Sequence, residues 1–257
     1  MTEITAHDED GVRVLAVNRP DRLNALAPST ATELEAALRE AEADASIGAA
    51  VLAGVGKNFS AGGDVHAIVG AMDDPEDAAP VRLMRTFHRL IEGIWNLELP
   101  VVAAVTGVAY GGAFNLALAA DLVVAAENSR FCQVFVRRGA VPDLGGAFFL
   151  PRLVGMQRAK ELMLLAPEVD AAEAHRLGLV NAVAPDADAA RRHAVELAGR
   201  LAAGPRFAIS LTKRLVNASS GLDLGASLEL EAMTQANVLR GGEARTGFGG
   251  FARRASP

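Results

Sequence analysis

Cysteine is almost missing from this chain. Cys132 stands alone, so neither an internal disulfide nor a cysteine metal cluster can form. Aromatic residues make up only 5% of a sequence that is 51% hydrophobic, so its core has to be built from alanine, valine and leucine. No apolar run reaches the ~18 residues that a membrane span needs. The histidines at 7, 66, 88, 175 and 193 are scattered and form no HExxH pair. Positive charge is also short. The net charge is -6, which argues against a general nucleic-acid or anionic-membrane surface and leaves an anionic ligand to local arginines or lysines. The opening MTEITAHDEDG is polar and acidic, unlike a signal peptide. A reduced, cytoplasmic, soluble protein is expected. Its 257 residues suffice for one large domain, or for a domain with a small appendage.

What the chain does have is glycine in clusters. The stretch Val101–Asp121 opens with the apolar run Val101–Val105 after Pro100, which reads as a buried strand. Gly107, Gly111 and Gly112 follow, and then a small apolar helix from Ala113 to Ala120 with Asn115 as its one amide. A strand that passes through glycine into a helix leaves backbone N–H groups free at the helix start, where they can hold negative charge. A second cluster runs from Gly54 to Asp64 and a third from Gly139 to Gly146. The pair Gly56-Lys57 fails as a phosphate loop, because Val51 and Asn58 stand where glycine and serine or threonine are needed. No cluster reads GxGxxG, which argues against a dinucleotide fold.

Apolar patterning predicts strands at Val12–Val17, Ala49–Ala53 and Asp121–Ala126, a further strand over Phe131–Val136, and a short β-prone piece at Leu179–Val183. Helices are predicted over Thr30–Ala43, Val81–Leu97, Gly155–Leu165 and Ala171–Leu177. The acidic, proline-flanked stretch Ala71–Pro80 reads as a mobile surface loop. From Ala187 onward everything looks helical. The fold class is α/β with right-handed crossovers, divided into a core over 1–186 and a helical region over 187–257.

Several spaced motifs now converge: NRPDRLNAL (18–26), FSAGGD (59–64), the central stretch (100–121), GAVPDLGG (139–146), LPRLVG (150–155), AAEAHRLGLVNAV (171–183) and the terminal GFGGFARR. Together they cover nearly the whole chain, and they resemble the enoyl-CoA hydratase/isomerase, or crotonase, superfamily. The resemblance implies a spiral of ββα turns, a C-terminal helical trimerisation region, and a homotrimer that often pairs into a hexamer. It implies a coenzyme A thioester as substrate, with no separate cofactor and no metal. By position, the shared oxyanion hole falls to the N–H groups of Gly63 and Gly112, where two fixed dipoles stabilise a thioester enolate. Arg22, Ala25, Ala61 and Asp64 fall where the family holds the coenzyme A arm and adenine, and Arg22 and Lys57 are candidates for its phosphates. Phe251 and Arg254 lie where a neighbouring subunit touches the nucleotide in relatives.

The departures from the family are informative. Hydratases carry two glutamates that activate and protonate water, and those positions are Asn115 and Phe135 here. Asp143, in the VPDLGG turn, matches a working aspartate of some isomerases and of the aryl-CoA dehalogenases. Phe135 with VPDLGG and LPRLVG looks most like the epoxyphenylacetyl-CoA isomerase group, which also shifts double bonds in enoyl-CoA. Read without the resemblance, Asp143 is first of all an Asx turn or helix cap before Leu144-Gly145-Gly146. His88 is expected to pack on its helix, Cys132 to be small and buried, and Tyr110 to line the acyl pocket. The leading expectation is an enoyl-CoA isomerase working through Asp143. A hydratase, an aspartate-nucleophile dehalogenase or thioester hydrolase, and a non-catalytic acyl-CoA binder remain alternatives.

Overall fold

The computed structural model describes residues 2–255, and side chains as far as residue 250. In chain order the strands are β1 Ile4–Glu9, β2 Val12–Val17, β3 Ala49–Gly54, β4 Val101–Val105, β5 Val108–Tyr110, β6 Leu122–Ala126, β7 Arg130–Cys132, β8 Val169–Asp170 and β9 Ala182–Ala184. The helices are α1 Pro28–Ala43, α2 Val65–Met72, α3 Ala79–Asn96, α4 Gly112–Ala119, α5 Gly146–Val154, α6 Met156–Leu164, α7 Ala171–Arg176, α8 Ala187–Ala202, α9 Arg206–Ser219, α10 Leu224–Arg240 and α11 Gly242–Ala255.

Six strands form one sheet in the order β1-β2-β3-β4-β6-β9, parallel except for the β1–β2 hairpin. The unbroken apolar runs of β3 and β4 follow from burial on both faces. Alternate side chains go to opposite layers. Leu52, Val101, Ala103, Val105 and Val123 join α1, α3 and α4, whereas Val51, Ala53, Val102, Ala104 and Val124 face α8. The α8 side is built from small residues. Ala190, Ala194 and Ala198, spaced one turn apart, are fully buried there, which lets one helix lie close over the strands. On the other side, Phe87, Leu90, Ile91 and Ile94 give α3 a continuous buried stripe.

A second sheet of three strands, β5-β7-β8, sits beside the first. The chain reaches it at glycine corners. From β4 it bends at Gly107 (φ 57°) into β5, then enters α4; from β6 it passes into β7 and on towards α5. Two earlier passes make the same move with a single bridge, Leu26 to Gly63 and Ser60 to Ala109, both parallel. Each pass is a strand, a short second strand or bridge, and a helix. Stacked, these passes form the crotonase-type ββα spiral, followed by the C-terminal helices.

Several elements differ from the sequence expectation. The central stretch does not run straight from strand into helix, because β5 intervenes. The strand expected over Phe131–Val136 is β7 only as far as Cys132, and Val134–Arg138 coils into a 3₁₀ turn. Strand β1 was hidden by polar residues, exposed from Thr5 to Glu9. Helix α5 was hidden by Pro151 inside it. Helix α2 ends at Met72 and α3 begins at Ala79, so the exposed loop is 73–78.

Helix α8 packs on the sheet although it follows residue 186. Of the helices that follow α8, α9 buries only Ser210 and α10 buries nothing of its own. Lys213 fastens α9 to the core. Its ammonium donates to the carbonyls of Ile94 (3.1 Å) and Leu99 (3.0 Å) and pairs with Asp121 at 2.9 Å. Among the described residues no helix is long and apolar enough to cross a membrane.

The close seat of α8 sets an expectation. Ala194→Leu forces extra methylenes between helix and sheet and should destabilise the fold by roughly 1–3 kcal/mol. The check is a lowered midpoint in denaturant unfolding, with an unchanged slope.

Candidate functional site

The loop 18–26 is a tight fold of backbone. Leu23 and Asn24 both take positive φ, 51° and 55°, which non-glycine residues hold only when their surroundings enforce it. Asn24 is fully buried and pays back the strain by bonding. Its Oδ1 accepts from the Arg19 N–H (3.0 Å), and its Nδ2 donates to the carbonyls of Val55 (3.0 Å) and Asn58 (2.7 Å). The first and second glycine-rich segments are thereby fixed to each other.

The second is fixed to the third by contact of main chains. Gly62 (φ 97°) passes so near Tyr110 that a β-carbon built on it would stand 2.6 Å from the Tyr110 carbonyl oxygen and 3.6 Å from the Gly112 nitrogen. The Leu26 N–H donates to the Gly62 carbonyl (2.8 Å) and the Asp64 N–H to the Leu26 carbonyl (2.9 Å). Leu26 therefore occupies both sides of Gly63, and the N–H of Gly63 itself points away from that bridge. Gly112 is the first residue of α4, where the helix offers its N–H no carbonyl. Among the described residues, neither N–H has a backbone acceptor. Side chains of Ile68 and Leu144 wall the place: a β-carbon on Gly63 would meet Ile68 at 3.2 Å, and one on Gly112 would meet Leu144 at 3.3 Å.

Asp143 arrives at the same spot. Its Oδ1 lies 3.4 Å from the β-carbon position of Gly112, and Leu144 (φ 46°) turns the chain just after it. That oxygen is buried and has no hydrogen-bond partner among the described residues. Burial pushes the carboxyl up to about 6, opposed by its own backbone N–H. Phe135 is buried close by, its ring 3.6 Å from the β-carbon position of Gly111. Asp143, Gly63, Gly112 and Phe135 are thus brought together.

Other expected residues stand differently. Asp64 is buried and serves the fold: it caps α2 by accepting from the His66 N–H (2.9 Å) and pairs with Arg19 at 2.8 Å. Arg19, not Arg22, is the arginine tied into this loop; it also donates to the Ala25 carbonyl at 2.6 Å. Arg22 and Lys57 are exposed on adjoining loops, Pro20 lying 3.7 Å from the β-carbon position of Gly56. The Ala61 N–H is spent on the Leu23 carbonyl (2.9 Å). The Tyr110 hydroxyl donates to Glu168, and burial with that carboxylate pushes it up to about 12. His88 is exposed on α3, not packed, whereas Cys132 is buried as expected. The side chains of Phe251 and Arg254 lie outside the described residues.

Asn115 is fully buried and gives its amide to the Asp143 carbonyl (2.8 Å). Its Oδ1 accepts from Gln133 (2.7 Å), a residue the sequence reading passed over. The signal was there: Gln133 is the one amide inside the apolar run FCQVFV. Among the described residues no group of three or more His, Cys, Asp or Glu is arranged to hold a metal ion.

Comparison with known proteins follows the same lines. A family model described as enoyl-CoA hydratase/isomerase matches residues 7–257. A protein of Escherichia coli K12 named 1,2-epoxyphenylacetyl-CoA isomerase is 35% identical, over 100% of this chain and 98% of its own length. The crotonyl-CoA hydratase of Syntrophomonas wolfei is also 35% identical, over 89% of this chain and 86% of its own. A crystal structure titled as an enoyl-CoA hydratase from Polaromonas sp. JS666 superposes with a TM-score of 0.94 at 32% identity, covering 99% of this chain and 98% of that one.

Gly112→Pro tests the N–H at the head of α4. Proline suits a first helical position, so the helix should survive while the donor is lost. Turnover on an acyl-CoA substrate is expected to fall at least ~100-fold in a protein with unchanged circular dichroism. Near-normal turnover in the folded variant would show that this N–H is not a donor to the reaction.

Proposed function

The chain belongs to the enoyl-CoA hydratase/isomerase family, whose members act on acyl-CoA thioesters, and from that premise we propose that it moves a double bond from the 3 to the 2 position of an enoyl-CoA. The observation that carries this reading is the Asp143 carboxylate. Its Oδ1 is buried and without a partner among the described residues, the carboxyl is raised to about 6, and it is set against the N-terminus of α4. The two positions at which hydratases of the family keep glutamates hold Asn115 and Phe135.

In this mechanism the thioester carbonyl lies between the N–H groups of Gly63 and Gly112. Asp143 takes a proton from carbon 2. The electrons move into the carbonyl, and the enolate oxygen rests on two fixed dipoles that need no reorganisation. The same carboxylic acid returns its proton to carbon 4, the double bond settles between carbons 2 and 3, and Asp143 is again ionised. One base suffices. Hydration would need a held water and a second relay, and Phe135, Ile68 and Leu144 make this an apolar place. Arg22 and Lys57, exposed on adjoining loops, are the proposed contacts for coenzyme A phosphates, with Ala25, Ala61 and Asp64 forming the backbone around its arm. Hydratase action is the second reading. It is favoured by the name of the Syntrophomonas relative, and would use Asp143 with a bound water.

The helices after the core are proposed to mediate self-association as a trimer or a hexamer. On α10, Leu224 is 76% exposed and Met233 63%, more apolar surface than a lone helix usually leaves in water. Light scattering on a chromatographed sample should give three or six times the mass of one chain; a stable monomer at micromolar concentration contradicts it.

Asp143→Asn keeps the shape and removes the titrating group. It should still bind acyl-CoA and lose isomerisation by roughly two to four orders of magnitude, the usual worth of a general base. The base must be ionised to act, so kcat/KM of the wild type should fall as pH drops through about 6 and level off above it. The assay is conversion of 3-enoyl-CoA to 2-enoyl-CoA, run beside hydration of crotonyl-CoA. Brisk hydration without isomerisation by the wild type, or normal isomerisation by the asparagine variant, rules out the assignment.

A further inference from the structure

Asp143 combines two opposite conditions. Its backbone carbonyl is doubly held, by the Gly146 N–H (2.9 Å) and by Asn115 Nδ2 (2.8 Å), while its carboxylate Oδ1 is held by nothing among the described residues. Asn115 lies three residues beyond Gly112 on α4, on the same side of the helix. Its Oδ1 accepts from Gln133 Nε2 at 2.7 Å, and Gln133 is 1% exposed, between β7 and the 3₁₀ turn. The fit is close: a β-carbon on Gly146 would fall 2.7 Å from Asn115 Cγ. A chain of two buried amides therefore runs from the second sheet, through the helix that carries the Gly112 N–H, to the turn that carries Asp143.

We propose that Gln133 and Asn115 are positioning residues for Asp143, fixing the backbone from which its unbound carboxylate reaches both the carbon that loses a proton and the carbon that gains one. The inference rests on the proton-transfer reading above. A base that serves two carbons in turn gains nothing from a hydrogen bond that ties its carboxylate to one place. Its position has to come from the main chain. The chain of hydrogen bonds also has a direction. The Gln133 N–H donates to Asn115 Oδ1, and the Asn115 N–H donates to the Asp143 carbonyl. An ionised acid at either position has no N–H or O–H to donate.

The charged side chains on the flanking elements are directed elsewhere. Arg137, on the 3₁₀ turn, donates to the Ala166 carbonyl; Arg138 beside it is exposed; Arg152, on α5, lies over the Phe148 ring at 3.7 Å; and α4 carries no charge. The amide pair is what meets the Asp143 turn from beneath.

The experiment compares Asn115→Asp, Gln133→Met and Asp143→Asn, and each of the first two combined with the third, by kcat, KM and pH profile for 3-enoyl to 2-enoyl conversion. Asn115→Asp and Gln133→Met should each lower kcat roughly tenfold, about what one buried hydrogen bond is worth, at an unchanged KM. Asn115→Asp should also move the acidic limb of the profile upward, because a new negative charge beneath the turn opposes ionisation of Asp143. Gln133→Met adds no charge and should leave the limb in place. In the Asp143→Asn background, followed under single-turnover conditions, neither change should cost anything further, since both act through the missing base. A folded Gln133→Met or Asn115→Asp enzyme with wild-type kcat and pH profile, beside an inactive Asp143→Asn, overturns the positioning role and leaves the proton-transfer reading intact. Equal losses with and without Asp143 assign the amides to general packing and also overturn it. Normal isomerisation by Asp143→Asn removes the base itself, and this inference with it.

Discussion

A β-carbon on Gly62 would stand 2.6 Å from the Tyr110 carbonyl, and one on Gly107 would collide with the Lys57 carbonyl and the Asn58 side chain. This contact of main chain with main chain is the constraint on which the site depends. It brings the end of one spiral pass against the start of the next, so that the Gly63 and Gly112 N–H groups emerge at one place. Side chains lock the contact. The Val108 N–H donates to Asn58 Oδ1 (3.1 Å), Asn24 holds the carbonyls of Asn58 and Val55, and Arg19 ties Asp64 to the loop 18–26. These groups are largely buried, where an unmet polar atom is costly, so the arrangement tolerates little drift. Dipoles fixed before the reaction begins are what an oxyanion site requires.

The sequence shows the parts of this design that obey a period. Strands β3, β4 and β6 read directly as apolar runs because both faces of their sheet are covered. Helices α1, α3 and α8 read equally well. What escapes is short or contrary to local preference. Strand β5 has three residues between glycines, and its pairing with β7 is a long-range fact. Helix α5 starts at a glycine and contains a proline. The glycine clusters lie at the candidate site, but without the family resemblance they do not show which N–H groups stay free. That depends on Leu26 bridging past Gly63, a contact between residues far apart in the chain. The structural role of Arg19 was equally hidden, because its bond to Asp64 joins residues far apart in the chain. Asn115 was visible as an odd amide, whereas its bond to the Asp143 turn was not.

Two aspartates show how the same fold makes one carboxylate structural and another available. Asp121 and Asp143 are both raised above the ordinary carboxyl range, chiefly by desolvation. Asp121, just beyond the end of α4, is answered on the spot. Lys213 pairs with its Oδ2 at 2.9 Å, and the Val101 N–H donates to the same oxygen at 2.7 Å. Its charge is consumed in holding α9 and β4 together, and removing Asp121 would strand the buried ammonium of Lys213. Asp143, near the opposite end of α4, is given backbone support and, among the described residues, no counter-charge. Ionising it therefore costs the folded protein a desolvation that Lys213 offsets in part at Asp121. The sign follows from the direction of the shift. A carboxyl raised in the folded state favours folding below its unfolded pKa, and that advantage is lost as pH climbs through about 6. A protein selected for stability alone would neutralise this group or give it an arginine. Desolvation is common to both aspartates; the missing partner among the described residues is particular to Asp143, as the proposed role in proton transfer would require.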